Sequence, residues 1–234
     1  MKTLVKTACK KIGIDLSEEQ ALKFENYYKQ LIEWNEKINL TRIIDPDEVS
    51  LKHFADSLTI LKYCDIPENA AVIDVGTGAG FPGVPLKIYR PDINLTLLDS
   101  LNKRLNFLNT VSEQNKLSVK TLHSRAEEAG RLKPERERYD IAVSRAVARL
   151  NTLCEYCLPF IKVGGSFVAM KGPNLTEELS EAKSAIKILG GEVKSVNEFN
   201  LDTAGERTVV VIKKIKPTPN TYPRHGSKIK NKPL

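Results

Sequence analysis

Apolar positions along the chain follow two different periods. Up to about residue 65 the spacing is helical. Phe24, Tyr27, Leu31, Trp34 and Ile38 recur every three or four residues and so share one helix face. Ser17 followed by Gln20 is a capping box at the start of that helix. Asp45-Pro46-Asp47-Glu48 opens a second helix, expected to run to about Tyr63, with Asp45 as N-cap, proline at the first helical position and acids in the first turn. From residue 70 onward short apolar runs alternate with helical stretches, the texture of a parallel sheet covered on both faces. Strands are expected at 71–75, 95–99, 118–122, 141–144 and 166–170. Two further strand-like runs, 192–199 and 208–214, are separated by Asn200-Leu201-Asp202-Thr203-Ala204-Gly205-Glu206, which suits a hairpin and not a helical crossover. The expectation is a doubly wound, mostly parallel sheet of seven strands with its last strand antiparallel. Three regions follow: helical 1–64, an α/β domain 65–216 and a tail 217–234.

Composition narrows the class. The chain has 234 residues, 41% of them hydrophobic and 28% charged, and no apolar run approaches the roughly 18 residues of a membrane helix. The N-terminus has no apolar core of a signal peptide, and four cysteines are too few for a disulfide scaffold. A cytoplasmic protein is expected. The net charge of +7 is unevenly placed: from Arg207 onward there are eight basic residues and no acid, leaving 28 basic against 29 acidic residues in the first 206. A basic tail carrying Pro217, Pro219, Pro223 and Pro233 suits a segment that follows phosphates, the alternative being a frayed, solvated terminus.

The chemistry-bearing stretch is Val72-Ile73-Asp74-Val75-Gly76-Thr77-Gly78-Ala79-Gly80-Phe81-Pro82-Gly83, a buried strand entering a glycine-dense turn that opens a helix. Asp99, 23 residues after Gly76, ends the next strand, where a carboxylate can accept ribose hydroxyls. A dinucleotide and S-adenosyl-L-methionine both fit such a loop. Gly78-x-Gly80-x-x-Gly83 matches the dinucleotide fingerprint but begins two residues late, and Asp74 would repel a pyrophosphate while suiting a cationic sulfonium and amine. The methyl donor is the favoured reading.

With that loop, several blocks resemble the bacterial small-subunit rRNA guanine-N7 methyltransferases, the glucose-inhibited division protein B family. They are Trp34-Asn35 with Asn39-Leu40-Thr41, His53-Phe54-Ala55-Asp56-Ser57-Leu58, Leu97 to Arg104, Ser124-Arg125-Ala126-Glu127-Glu128, Ser144-Arg145-Ala146 and Met170-Lys171-Gly172. The resemblance implies a Rossmann-like, class I methyltransferase fold with an N-terminal helical extension. It also implies use of S-adenosyl-L-methionine to methylate guanine N7 in 16S rRNA; a monomer is expected, and with His53, His123 and His225 scattered no metal site is expected. It carries Gly76, Phe81, Ala126, Glu127 and Arg145 to the donor site, beside Asp74, Gly78 and Asp99 from the loop reading. Arg145 is also open to a purely structural ion pair.

RNA contacts are expected from Lys103, Arg104 and Lys171 and from the tail at Arg224, Lys228, Lys230 and Lys232. Removing 217–234 should then weaken RNA binding and spare the donor. His53, Asp56 and Ser57 fall at i, i+3 and i+4, which suits either a hydrogen-bonded cluster or a face turned to RNA. No Asn/Asp-Pro-Pro-aromatic block follows the fourth strand, so exocyclic-amine methylation is not expected; the alternatives are another RNA base or a small-molecule acceptor. Cys154-x-x-Cys157 has no companion pair, so the two cysteines are read as packing residues.

Overall fold

The structure, a computed structural model, describes residues 1–173 and 175–234. Strands β1 (Ala71–Val75), β2 (Asn94–Asp99), β3 (Val119–His123), β4 (Tyr139–Arg145), β5 (Ile161–Lys171), β6 (Gly191–Asn200) and β7 (Glu206–Lys214) form one sheet in the order β3-β2-β1-β4-β5-β7-β6. β7 runs antiparallel to both β5 and β6, and the other pairings are parallel. The hairpin is therefore as expected. The crossovers carry α5 (Gly83–Tyr89), α6 (Asn102–Gln114), α7 (Ala126–Ala129), α8 (Leu150–Cys157) and α9 (Thr176–Ile188).

Side-chain alternation divides the core between the sheet's two faces. Val72, Leu95, Leu97, Ile141, Val143 and Val168 face one apolar cluster, while Ile73, Val75, Leu98, Ala142, Phe167 and Ala169 face the other. The first cluster takes in the N-terminal helices, α1 (Lys2–Lys11) and α2 (Glu18–Ile38). The Ser17–Gln20 box caps α2, and Phe24, Tyr27 and Leu31 are fully buried on the expected stripe. The second cluster holds Cys154 and Cys157, both fully buried on α8, as packing residues.

The second N-terminal helix departs from expectation. It begins as α3 (Pro46–Glu48) under the Asp45 cap, widens into a π turn over Val49–Ala55, returns to α in α4 (Asp56–Leu58) and tightens to 3-10 over Thr59–Lys62. The π turn does not disperse the expected cluster: His53 and Asp56 meet the same Arg145 guanidinium, and the Ser57 hydroxyl donates to the His53 carbonyl at 2.6 Å, the hydrogen-bonded set that was one of the two readings. No helix among the described residues is long and apolar enough to cross a membrane. The last 18 residues wrap back over α8 and end in α10 (Gly226–Asn231), with Ile229 fully buried.

Candidate active site

Strand ends β1, β2 and β4 open onto a single cleft of about 1220 Å³, placed where open α/β sheets bind ligands. Gly76, Gly78, Phe81, Asp99, Ala126, Glu127 and Arg145 all line it, with His53 and Arg104. Gly76 has φ +71°, and a Cβ there would come within 2.7 Å of a Val147 methyl, so only glycine keeps this wall open. Asp99 is almost fully buried. Its Oδ2 accepts from the Gly78 amide at 2.9 Å and from Arg104 at 3.3 Å, and its Oδ1 accepts from the Leu101 amide at 2.9 Å.

Asp74 is not in the cleft. Strand alternation turns it beneath the loop, where Oδ2 accepts from the Thr77 hydroxyl at 2.7 Å and the Gly83 amide at 2.8 Å. It is fully buried, its Oδ1 has no hydrogen-bond partner, and burial pushes its carboxyl up to about 6. The expected contact with a cationic donor is therefore corrected: Asp74 shapes the turn from behind.

At the other end of the cleft Phe81 is the centre of a stack. The Tyr27 ring lies 5.5 Å away, the His53 ring 4.5 Å away, and the Arg145 guanidinium 5.0 Å from the ring centre. The Tyr27 hydroxyl donates to the Ala79 carbonyl, tying α2 to the glycine loop. Arg145 donates through Nη1 to Asp56 Oδ2 at 2.7 Å and to the Lys52 carbonyl at 3.1 Å, while Nη2 lies 3.4 Å from His53 Nδ1. Asp56 also accepts from Arg207 Nε at 3.1 Å. Both readings of Arg145 thus meet in one side chain: it is ion-paired and it forms cleft wall. Burial, then the Arg145 charge, hold His53 far below the usual histidine value, at about 3, so the ring is neutral at neutral pH.

The family model for rRNA small subunit methyltransferase G, GidB, matches residues 20–210. The chain belongs to that family. It is 53% identical over 232 residues to the ribosomal RNA small subunit methyltransferase G of Desulforamulus reducens, covering 98% of this chain and 97% of that one. It is 49% identical to the enzyme of the same name from Clostridium perfringens strain 13, with 99% and 98% covered. Among solved structures, M. jannaschii TYW2 in complex with AdoMet aligns with TM-score 0.52 at 17% identity, over 64% of this chain and 71% of that one, a likeness of fold alone.

In this chain the expected RNA-contacting bases divide. Lys103 and Lys228 are exposed, and Arg104 and Lys230 reach the cleft. Lys171 is mostly covered, pairing with Glu178 at 2.5 Å and donating to the Ala148 carbonyl at 2.9 Å. Arg224 is corrected outright: Nη2 meets Oε2 of the fully buried Glu155 at 2.6 Å, and Nε and the backbone amide reach Oε1 at 2.9 and 2.7 Å. Its charge is neutralised inside the protein and is not offered to a phosphate.

Several cleft residues escaped the sequence reading. Tyr156 and Thr152 come from α8, and His225, Gly226, Ser227 and Pro233 from the tail. One feature pointed toward the tail's position: Glu155 is a lone acid in the apolar stretch Leu153-Cys154-Glu155-Tyr156-Cys157, and a buried acid demands a cation from elsewhere in the chain. Among the described residues no group of three or more His, Cys, Asp or Glu is placed to hold a metal ion.

Proposed function

We propose that this protein transfers the methyl group of S-adenosyl-L-methionine to N7 of a guanine in 16S rRNA. The observation that carries the reading is the continuity of the cleft: the glycine loop, Asp99 and Glu127 share one cavity with the His53–Phe81–Arg145 stack, so donor and base can meet without leaving protein cover. Family membership and near full-length relatives named for rRNA methylation support it. The residues present fit the donor. Gly76, at φ +71° with no Cβ, lets the loop turn beneath Val147 and leaves its backbone bare to the cleft, and Asp99 Oδ1, with one amide bound, keeps acceptor capacity for a ribose hydroxyl. Ala126 and Glu127 close the adenine end.

When bound, S-adenosyl-L-methionine supplies an activated methyl on sulfur. The chain's own task is alignment and exclusion of water. Guanine N7 carries an in-plane lone pair, so attack requires no proton removal. The acceptor end suits that demand: His53 is neutral, and the nearby carboxylate, Asp56, is committed to Arg145 and Arg207. Phe81, buried between Tyr27 and His53, fixes the His53 ring at the cleft wall, where a base can rest against it. Exposed Lys103 and Lys228 with cleft-edge Arg104 and Lys230 would hold phosphates around an unpaired loop. The reading places the protein in the cytoplasm, acting as a monomer on the small subunit or its precursor.

The test is incubation with methyl-labelled donor and small-subunit rRNA from cells lacking the enzyme, followed by digestion to nucleosides and mass spectrometry. The expected product is 7-methylguanosine. Label in another nucleoside would refute the N7 assignment, and donor binding without transfer to free or assembled rRNA would redirect the reading to a small-molecule acceptor.

A further inference from the structure

The tail, expected to reach for RNA, is also built into the protein. Arg136 donates to the carbonyls of Thr218 at 2.7 Å and Tyr222 at 2.8 Å, and fully buried Lys214 donates to the Thr218 hydroxyl at 2.6 Å. The Thr218 amide in turn donates to Glu137 at 2.7 Å. Past this anchor the Arg224–Glu155 pair fixes the chain against α8, and the next residues, His225, Gly226 and Ser227, form part of the cleft wall. Gly226 packs so closely on Glu127 that a Cβ there would lie 2.1 Å from Glu127 Oε1.

We propose that residues 224–230 are a strap that completes the donor site, packing against the Glu127 side chain and so limiting where its carboxylate can go, and closing the adenine end, with Arg224–Glu155 as its positioning pair. The proposal rests on the donor reading above and deepens it. Free-energy logic supports the assignment: an arginine whose fork is filled by a buried carboxylate contributes nothing to phosphate binding, while the same pair brings a glycine backbone against a cleft residue. Lys230, on the cleft edge of the strap, is left where donor and RNA sites adjoin.

Two full-length variants test it, with S-adenosylhomocysteine binding followed by calorimetry and RNA binding followed separately. Gly226→Ala leaves the Arg224–Glu155 pair intact and displaces only the flexible end of Glu127, so its melting temperature should match the parent. Its affinity for S-adenosylhomocysteine should fall about tenfold, the scale of one lost charge-assisted contact. Arg224→Gln should lower the same affinity at least as far and make Lys228 and Lys230 trypsin-sensitive in the folded protein, and Arg224→Lys should restore part of both. Unchanged S-adenosylhomocysteine binding in Gly226→Ala and Arg224→Gln, with the parent binding normally, overturns the strap, as does a loss confined to RNA binding. Failure of the parent chain itself to bind S-adenosylhomocysteine is a separate result, which overturns the donor reading and the strap with it.

Discussion

The cleft has two added walls, one from each end of the chain, and they are held in opposite ways. The N-terminal wall is apolar: Phe54 lies 4.8 Å from Phe24, 5.3 Å from Tyr27 and 6.0 Å from Phe81, within the same core cluster as the sheet. The C-terminal wall hangs on polar anchors, Arg136, Lys214 and the Arg224–Glu155 pair, with Ile229 its fully buried aliphatic contact. Apolar burial is non-directional and shared among many neighbours, so the N-terminal wall forms with the fold. A wall held by a few directional contacts can detach while the fold persists. The Phe81–His53 stack thus belongs to the rigid wall, and the strap packed on Glu127 to the separable one.

The strongest test of that contrast is Phe54→Ala. Removing a fully buried ring from the junction of α2, the π turn and the glycine loop should cost about 3–5 kcal/mol, read by denaturant unfolding. Donor binding and the folded state should be lost together along the denaturant axis. Glu155→Gln should behave differently. It leaves Arg224 without its counter-charge, at a cost of about 3 kcal/mol by the low end for broken buried pairs, because the guanidinium can swing out with the strap. Proteolysis at the tail should then precede global melting. Tail cleavage and melting at the same temperature would place the strap in the same cooperative unit as the N-terminal wall.

The contrast also explains what could be read in advance. β1 was legible to the residue, and the glycine loop, Asp99 and the antiparallel β7 followed from local pattern and spacing, while Glu127 came only from the family resemblance. β5 is longer than the 166–170 run because Gly164-Gly165 interrupts its apolar signal, where the β4–β5 register also shifts between Tyr139 and Ile141. α1 went unseen because Val5, Ala8 and Cys9, its buried residues, are set among lysines and amount to little periodic signal. The π turn has no period of its own in seven residues. The docked tail was illegible for a different reason: the Arg136 and Glu155 anchors reach partners 69 to 86 positions away, and charge count reports the sign of Arg224 without its partner. An acid beside a glycine loop looks the same in sequence whether it faces the ligand or the turn; alternation puts Asp74 on the Val72 side of β1, and only the fold shows that this side lies beneath the loop and away from the cleft.

The glycine loop lies between the walls, and the acid beneath it sharpens the comparison through pH. In an unfolded chain an aspartate titrates near 3.9; in the fold Asp74 is raised to about 6, chiefly by burial. Between those values the folded state keeps a proton that the unfolded state has released, so stability falls as pH rises from about 4 to about 6, and the full cost stands above 6. Asp74→Asn removes that cost while keeping an acceptor for Thr77 and Gly83. Relative to the parent it should gain up to about 3 kcal/mol across this window, at about 1.4 kcal/mol per pKa unit. His53 in the rigid wall slopes the other way: depressed to about 3, it resists a proton that the unfolded chain takes up below 6.5, so its stability contribution is lost as pH falls. The two slopes oppose each other in the parent, and Asp74→Asn should unmask the acid lability of His53 as a steeper fall in stability below pH 6. A variant-minus-parent difference that stays flat from pH 4 to 6, by denaturant unfolding, would mean that Asp74 titrates as an ordinary carboxyl and that the loop stores no such cost.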